Sequence, residues 1–114
     1  MSSLPHPLPE PVVELIARRF RVIGEPMRIR VLDRLRGGEA TVAELTASLG
    51  TSQQNVSKHL GVLHEAGILG RRKEGLHTVY AIEDESVLGL CEEVCGGLQR
   101  QFAELADLVG GSPR

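Results

Sequence analysis

The segment that decides the fold is Thr41–Ile82, which reads TVAELTASLGTSQQNVSKHLGVLHEAGILGRRKEGLHTVYAI. It opens on the pattern T-V-A-E, in which a threonine and a glutamate three residues apart satisfy backbone amides at the start of a helix. Gly50 ends this short helix, and Ser52 can cap a second helix that reaches Ala66 before a further glycine. Two short helices joined by a tight, glycine-containing turn are typical of a helix-turn-helix.

The segment ends in a predicted β-hairpin. Residues 69–73 and 77–82 are rich in β-branched or long side chains, and the tripeptide E-G-L separates them. Gly75 can adopt the positive φ that tight turns need. The hairpin therefore follows the helix-turn-helix directly.

Two further helices are predicted upstream. The first starts at about Pro11, and its apolar stripe consists of Val13, Ile16, Phe20 and Ile23. The second starts at Pro26, whose fixed φ suits a first helical turn, and reaches about Arg36. Its predicted buried residues are Ile29, Val31, Leu32 and Leu35.

A last helix is predicted from about Asp84. Its apolar positions alternate in steps of three and four and form a heptad seam: Leu88, Cys91, Cys95, Leu98, Phe102, Leu105 and Val109. The expected fold is thus mainly α with a small β-hairpin, in the order α-α-α-α-β-β-α. Residues 12–109 are expected to form this domain, residues 1–11 a flexible proline-rich arm and residues 110–114 a flexible tail.

Length and composition exclude several classes of protein. A chain of 114 residues is enough for one domain, and a dimer partner would help to complete so small a core. Aromatic residues make up only 3%, which argues against stacking platforms for single-stranded nucleic acid. No apolar run is longer than Val79–Ile82, and the N-terminus lacks the features of a signal peptide. We therefore expect a cytoplasmic protein with no membrane partner and no cofactor required for folding.

The charge is unevenly distributed along the chain. Residues 18–73 contain eleven Lys and Arg against five acids, whereas residues 74–114 contain two against eight. A basic middle with an acidic C-terminal part indicates that one face meets a polyanion.

The helix after Ser52 offers a polar face that could read DNA. Val56, Leu60 and Leu63 define its inward side. Amides, hydroxyls and a lysine on the other side are groups that contact base edges or phosphates in a major groove. A solvated polar face is the alternative, but the capping pattern, the turn and the hairpin favour DNA. The candidate DNA-binding residues here are Ser52, Gln53, Gln54, Asn55, Ser57, Lys58 and His59.

The hairpin supplies a second set of candidates for DNA contact, namely Arg71, Arg72, Lys73 and His77. Basic side chains at a hairpin suit phosphates or the minor groove, and they also protect a strand edge from aggregation. Arg28 and Arg30 have two interpretations, since their stems could lie along the core or their guanidinium groups could contact DNA.

These motifs together resemble the ArsR/SmtB family of bacterial winged-helix repressors. The resemblance covers about residues 13–108 and rests on IGEPMRIRVL, on S-x-x-x-V-S-x-H-L followed by L-x-x-A-G, and on RRKEGLHTVYAI. It implies a homodimeric repressor, not an enzyme, that dimerises through its first and last helices and binds an inverted repeat in duplex DNA. Gly61 departs from the family pattern of a long polar side chain. It either lets the DNA approach closely or removes one contact.

The resemblance also implies where metal ligands would lie, and two common sets are absent. One set places cysteines in the helix before the turn, which here contains neither Cys nor His. The zinc-sensing set places Asp and His along the last helix, which here has no His. A nickel or zinc sensor of the common type is therefore not expected.

Cys91 and Cys95 are four residues apart and fall on one helix face, with three interpretations. They could be packing residues, because Cys behaves as a small hydrophobe. They could bind a thiophilic inducer such as trivalent arsenic, antimony or a methylated arsenical, with a third thiolate from a second chain or a small thiol. They could also form a redox or reactive-sulfur switch, although a disulfide at this spacing strains an intact helix unless Gly96-Gly97 softens it.

Of two other function classes, one stays open and the other is not expected. The acidic C-terminal half could bind another protein, with DNA binding incidental, and weak salt dependence would distinguish that case. An enzyme is not expected, because the sequence has neither a Gly-rich phosphate loop nor a convergent nucleophilic set.

Overall fold

The computed structural model describes residues 4–108 of the chain. They form α1 (Glu10–Ile23), α2 (Pro26–Arg36), β1 (Ala40–Thr41), α3 (Val42–Leu49), α4 (Gln53–Glu65), β2 (Leu69–Glu74), β3 (His77–Ile82), α5 (Ser86–Gln101) and α6 (Ala103–Leu108). The chain divides between Glu83 and Asp84 into two compact units. Every helix of the described part is too short or too polar to cross a lipid bilayer. The start of the predicted arm (1–3), Val109 and the predicted tail (110–114) lie outside the described residues.

The first two helices start close to their predicted prolines. Helix α1 starts at Glu10, inside the predicted arm, with Pro11 in its first turn. Helix α2 starts at Pro26, and the side chain of Glu25 caps it by accepting a hydrogen bond from the Arg28 amide at 3.0 Å. The prediction that Ile29 is buried is wrong, because its side chain is 44% exposed. Val31, Leu32 and Leu35 occupy the buried face of α2, and Ile29 lies well away from the centre of that face at about 100° per residue.

The predicted helix-turn-helix is confirmed in α3 and α4. Thr41 Oγ1 accepts from the Glu44 amide at 3.1 Å, and Glu44 Oε1 accepts from the Thr41 amide at 2.9 Å, which completes the capping box. Gly50 ends α3 in the left-handed conformation with φ of 65°. Ser52 Oγ accepts from the Asn55 amide at 3.0 Å and starts α4.

The predicted hairpin is confirmed and belongs to a larger sheet. Strands β2 and β3 pair antiparallel from Leu69 opposite Ile82 to Glu74 opposite His77. Strand β1 was not predicted; it pairs with β3 through Ala40 and Thr41 and gives the order β1-β3-β2. A two-residue strand has no detectable period of two, so only its pairing reveals it.

The core of the first unit lies beneath α4. Val56, Leu60 and Leu63 are fully buried, as the inward stripe of α4 predicts. Ile68 and Leu69, which lead into the hairpin, are buried as well. Helix α4 and the hairpin therefore share one core, which fixes the rotation of α4 about its own axis.

In the second unit, the prediction of one helix with a continuous heptad seam is wrong, because the helix is interrupted. Helix α5 passes through Gly96-Gly97 without a break but ends at Gln101, because Phe102 is extended, with φ of −126° and ψ of 109°. The short α6 follows this break. Asp84 Oδ1 fixes the start of α5 by accepting from the amide and the hydroxyl of Ser86, at 3.0 and 2.6 Å.

Candidate nucleic-acid interface

The outward face of α4 and the turn before it carry exposed polar side chains. Five predicted contact residues are exposed there: Ser52, Gln53, Gln54, Ser57 and Lys58. Because Val56 and Leu60 on the opposite side are fully buried, this face cannot rotate inwards without opening the core. These five residues, the α4 polar face, thus present hydrogen-bonding groups and one cation to solvent.

Asn55 supports the turn as well as the polar face. The residue is half-buried. Its side-chain Nδ2 donates to Thr51 Oγ1 at 3.2 Å, and its backbone N–H donates to Ser52 Oγ. These contacts hold the start of α4 in place. Its side-chain oxygen is an additional acceptor.

His59 does not belong to the α4 polar face, and the prediction that it contacts DNA is corrected. The residue is only 5% exposed. Its Nδ1 lies 3.2 Å from Nη1 of Arg28 and 3.9 Å from Oε1 of Glu25. Burial lowers the pKa of His59 below the ordinary value, although the Glu25 carboxylate acts in the opposite direction. The ring is therefore neutral at pH 7 and unavailable to a ligand.

Of the two arginines with two interpretations, Arg28 makes structural contacts within the protein. Arg28 Nε donates to the carbonyl oxygen of Val22 at 2.6 Å, and its guanidinium also contacts His59. Arg30 is exposed. Arg19 acts similarly to Arg28, since its Nη2 donates to the carbonyl oxygen of Ala66 at 3.1 Å, just beyond the end of α4. The sequence offered no signal for this contact, which spans 47 residues.

The hairpin carries the other predicted DNA contacts and forms the second part of the candidate site. Arg71, Lys73 and His77 are exposed, and Gly75 has the predicted positive φ of 64°. Arg71, Arg72 and Lys73 also line a surface depression of about 400 Å³ together with Thr78 and Tyr80. This surface offers several N–H donors for phosphate oxygens.

Arg72 differs from the other basic hairpin residues because it is paired with acids. Its Nη1 and Nη2 donate to the two carboxylate oxygens of Glu39 at 2.8 Å each, and Nη2 also donates to Glu74 at 2.9 Å. These bonds raise the pKa of Arg72 and lower that of Glu39. Arg72 therefore ties the hairpin to the segment before β1, and its charge is partly neutralised. Glu39 was missed because it lies 33 residues from Arg72.

Gly61 lies on α4 with space around it. A Cβ built on this residue meets no atom within 4 Å, apart from the helix's own backbone. We expect Gly61→Ala to raise the free energy of unfolding by about 0.5–1 kcal/mol, because alanine removes the entropy cost of a glycine inside a helix. Urea unfolding followed by circular dichroism measures this change. A stability equal to or below that of the wild type would contradict it.

Cys91 and Cys95 both lie on α5, in the second unit. Both thiols are free and half-buried, and the helix is unbroken between them, so they share one face. Burial raises the pKa of the Cys91 thiol. Within residues 4–108, no group of three or more His, Cys, Asp or Glu side chains is placed to hold a metal ion. One chain therefore offers at most a two-thiol site at this position.

Comparison with known sequences shows similarity to bacterial transcription regulators. A family model described as a helix-turn-helix domain matches residues 23–72. The chain is 35% identical over 109 residues to an uncharacterised HTH-type transcriptional regulator of Mycobacterium tuberculosis, Rv0081, covering 90% of this chain and 96% of that protein. It is 29% identical over 82 residues to the HTH-type transcriptional repressor SmtB of the same organism, covering 72% of this chain and 61% of that protein.

Solved structures agree with these sequence matches. The crystal structure of M. tuberculosis Rv0081 superposes with a TM-score of 0.74 at 32% identity, covering 89% of this chain and 99% of that one. A second similar structure is Mb0332 of Mycobacterium bovis, described as a homodimeric winged helix-turn-helix DNA-binding domain and a possible ArsR-family regulator. Its TM-score is 0.72 at 24% identity, covering 87% of this chain and 91% of that one, a level that supports the fold.

Proposed function

Because the chain belongs to the ArsR/SmtB family of winged helix-turn-helix transcriptional regulators, we propose that it represses transcription by reading duplex DNA with α4. Members of this family are DNA-binding regulators and not enzymes. The observation that carries the proposal is the α4 polar face, which the buried Val56 and Leu60 hold towards solvent. The repressor acts in the cytoplasm, where its DNA lies.

The two parts of the site, α4 and the hairpin, have side chains suited to different contacts with DNA. Gln54 and Asn55 have the amide groups that bond adenine edges in a major groove, and Lys58 can reach a guanine or a phosphate. Arg71, Lys73 and His77 on the hairpin suit the phosphate backbone or the minor groove, which fixes register more than sequence. Arg72 contributes less charge, because Glu39 and Glu74 already pair with it.

The protein acts as a homodimer on an inverted repeat. Helix α1 leaves Val13, Leu15 and Phe20 exposed, and α5 separately leaves Val94 and Leu98 exposed. Apolar side chains on these two helices favour burial against a second copy. A two-fold axis would place two copies of α4 on half-sites about one helical turn, or a multiple of it, apart.

The test of this function compares two substitutions on the α4 polar face. We expect Lys58→Ala to weaken binding to all duplexes and, where Lys58 contacts a phosphate, to reduce the salt slope by about one unit. We expect Gln54→Ala to cost about 1–3 kcal/mol at the cognate site and to relax base preference there. Binding to the DNA upstream of the protein's own gene, titrated with salt, measures both.

Lys58→Arg is the matched control, since it keeps the positive charge and should keep the salt slope. If neither alanine variant changes operator affinity, α4 is not the recognition helix. If wild-type binding to duplex DNA is weak and insensitive to salt while a protein partner binds, the chain is an interaction module instead.

The inducer is the second part of the proposal. We propose that Cys91 and Cys95 bind a thiophilic inducer: trivalent arsenic or antimony, or a methylated arsenical. Soft thiolates select such ions, and the two thiols share a face of an uninterrupted helix. A two-thiol site suits a methylated arsenical, whereas inorganic arsenite needs a third thiolate from a second chain or a small thiol.

Two other roles of the cysteines compete with this one. A redox or reactive-sulfur switch would need reactive thiolates, and burial raises the pKa of the Cys91 thiol, which disfavours the thiolate for oxidation as well as for metalloid binding. A packing role would need only a small apolar side chain at each position. Operator binding titrated with arsenite, a methylated arsenical and an oxidant separates the three roles.

A further inference from the structure

Arg28 contacts three helices at once, although its Cα belongs to α2. Its Nε donates to the Val22 carbonyl of α1 at 2.6 Å, and its amide donates to Glu25, the cap of α2. Its Nη1 lies 3.2 Å from Nδ1 of His59, in the middle of α4. Arg28 therefore connects α4 to α1 and α2.

The contact between Arg28 and His59 requires a neutral imidazole. A guanidinium only donates hydrogen bonds, so Nδ1 of His59 must accept and the ring proton must lie on Nε2. Protonation of Nδ1 would set an N–H against another N–H at 3.2 Å and place two cations side by side. The hydrogen bond would then be lost.

We propose that Arg28 is a positioning residue that holds α4 in its DNA-binding orientation through neutral His59, and that protonation of His59 releases DNA. This inference rests on the proposed function, because it assigns the regulation of the same α4 polar face. Lys58 precedes His59 directly, so a displacement at His59 moves a proposed DNA contact as well.

The charged groups around His59 determine the direction of the pH effect. Burial is the strongest influence and lowers the pKa of His59, Arg28 and Lys58 lower it further, and the Glu25 carboxylate raises it. From α1, Arg19 reaches α4 at the carbonyl of Ala66. From α3 and β2, which also pack against α4, the described contacts bring no ionisable group to the ring. DNA affinity should therefore be intact above the ordinary histidine range and fall as pH drops through the lowered pKa.

The decisive measurement is the pKa of His59 by NMR, in the free protein and in the operator complex. The negative potential of DNA alone raises the pKa of a nearby histidine. If DNA binding requires neutral His59, the pKa must instead be lower in the complex, by about half a unit or more. His64 in the same spectra serves as an internal control, because the Arg28 contact is made by His59 and not by His64. An unchanged or raised pKa of His59 in the complex would overturn the proposal.

A variant gives a second, independent readout. Gln at position 59 can accept from Arg28 but cannot be protonated. Between pH 7.5 and 5.5, wild-type operator affinity should fall further than that of His59→Gln, by up to about threefold for a shift of half a pKa unit, whereas His64→Gln should retain the fall shown by the wild type. Identical pH profiles for the wild type and His59→Gln would overturn the proposal. Absence of operator binding by the wild type at pH 7.5 would instead contradict the proposed function itself.

Discussion

Replacing Leu60 by alanine is expected to lower the free energy of unfolding by about 2–5 kcal/mol. Leu60 lies on the inward side of α4 and is 0% exposed. Alanine removes the transfer free energy of three carbon atoms and leaves a cavity that the close-packed neighbours fill only in part. A loss of this size approaches the whole stability of a small domain. Urea unfolding followed by circular dichroism measures the change.

Leu76→Ala is the matched control, since it removes the same atoms from a side chain that is 96% exposed. Its effect on the free energy of unfolding should stay within about 0.5 kcal/mol. Leu60→Met, which keeps most of the volume, should cost less than about 1.5 kcal/mol. Equal losses for Leu60→Ala and Leu76→Ala would mean that α4 does not pack as the structure places it.

Sequence patterns predicted α3 and α4 well because their signals are local. The Thr41 and Ser52 caps, the turn at Gly50 and the stripe of buried residues all act within a few positions of each other. The same holds for the hairpin turn at Gly75. Capping and periodicity depend on neighbours along the chain, so a reader of the sequence has the needed information.

The wrong or missing predictions have two causes. Some concern contacts between distant segments of the chain, and one concerns a helical period that already indicated burial. The pairing of β1 with β3, and of Glu39 with Arg72, joins residues more than thirty positions apart. His59 is different, because at about 100° per residue it falls only about 60° from the centre of the inward face of α4. The helical period therefore already indicated burial, and its polar character misled the assignment to DNA. The break at Phe102 has no glycine or proline beside it to mark it.

Replacing either Cys91 or Cys95 by serine is expected to abolish the response to a thiophilic inducer. A ligand can change operator affinity only through unequal binding to the DNA-competent and incompetent forms of the protein. The usual coupling is about 1–3 kcal/mol, which corresponds to a change of about 5–150-fold in operator affinity. A single remaining thiol cannot replace a two-thiol site, so both single variants should lose the effect. The measurement is operator binding by the wild type and both variants, titrated with arsenite, a methylated arsenical and an oxidant.

Binding of DNA without inducer should survive in both serine variants, because serine is nearly isosteric with cysteine and both positions are only half-buried. If an arsenical releases the wild type and neither variant, the cysteines form the inducer site. If only the oxidant releases DNA and a reductant restores binding, the cysteines are a redox switch. If all three proteins respond alike, or none responds, the two thiols are packing residues of α5, because replacing either of them then leaves the response unchanged.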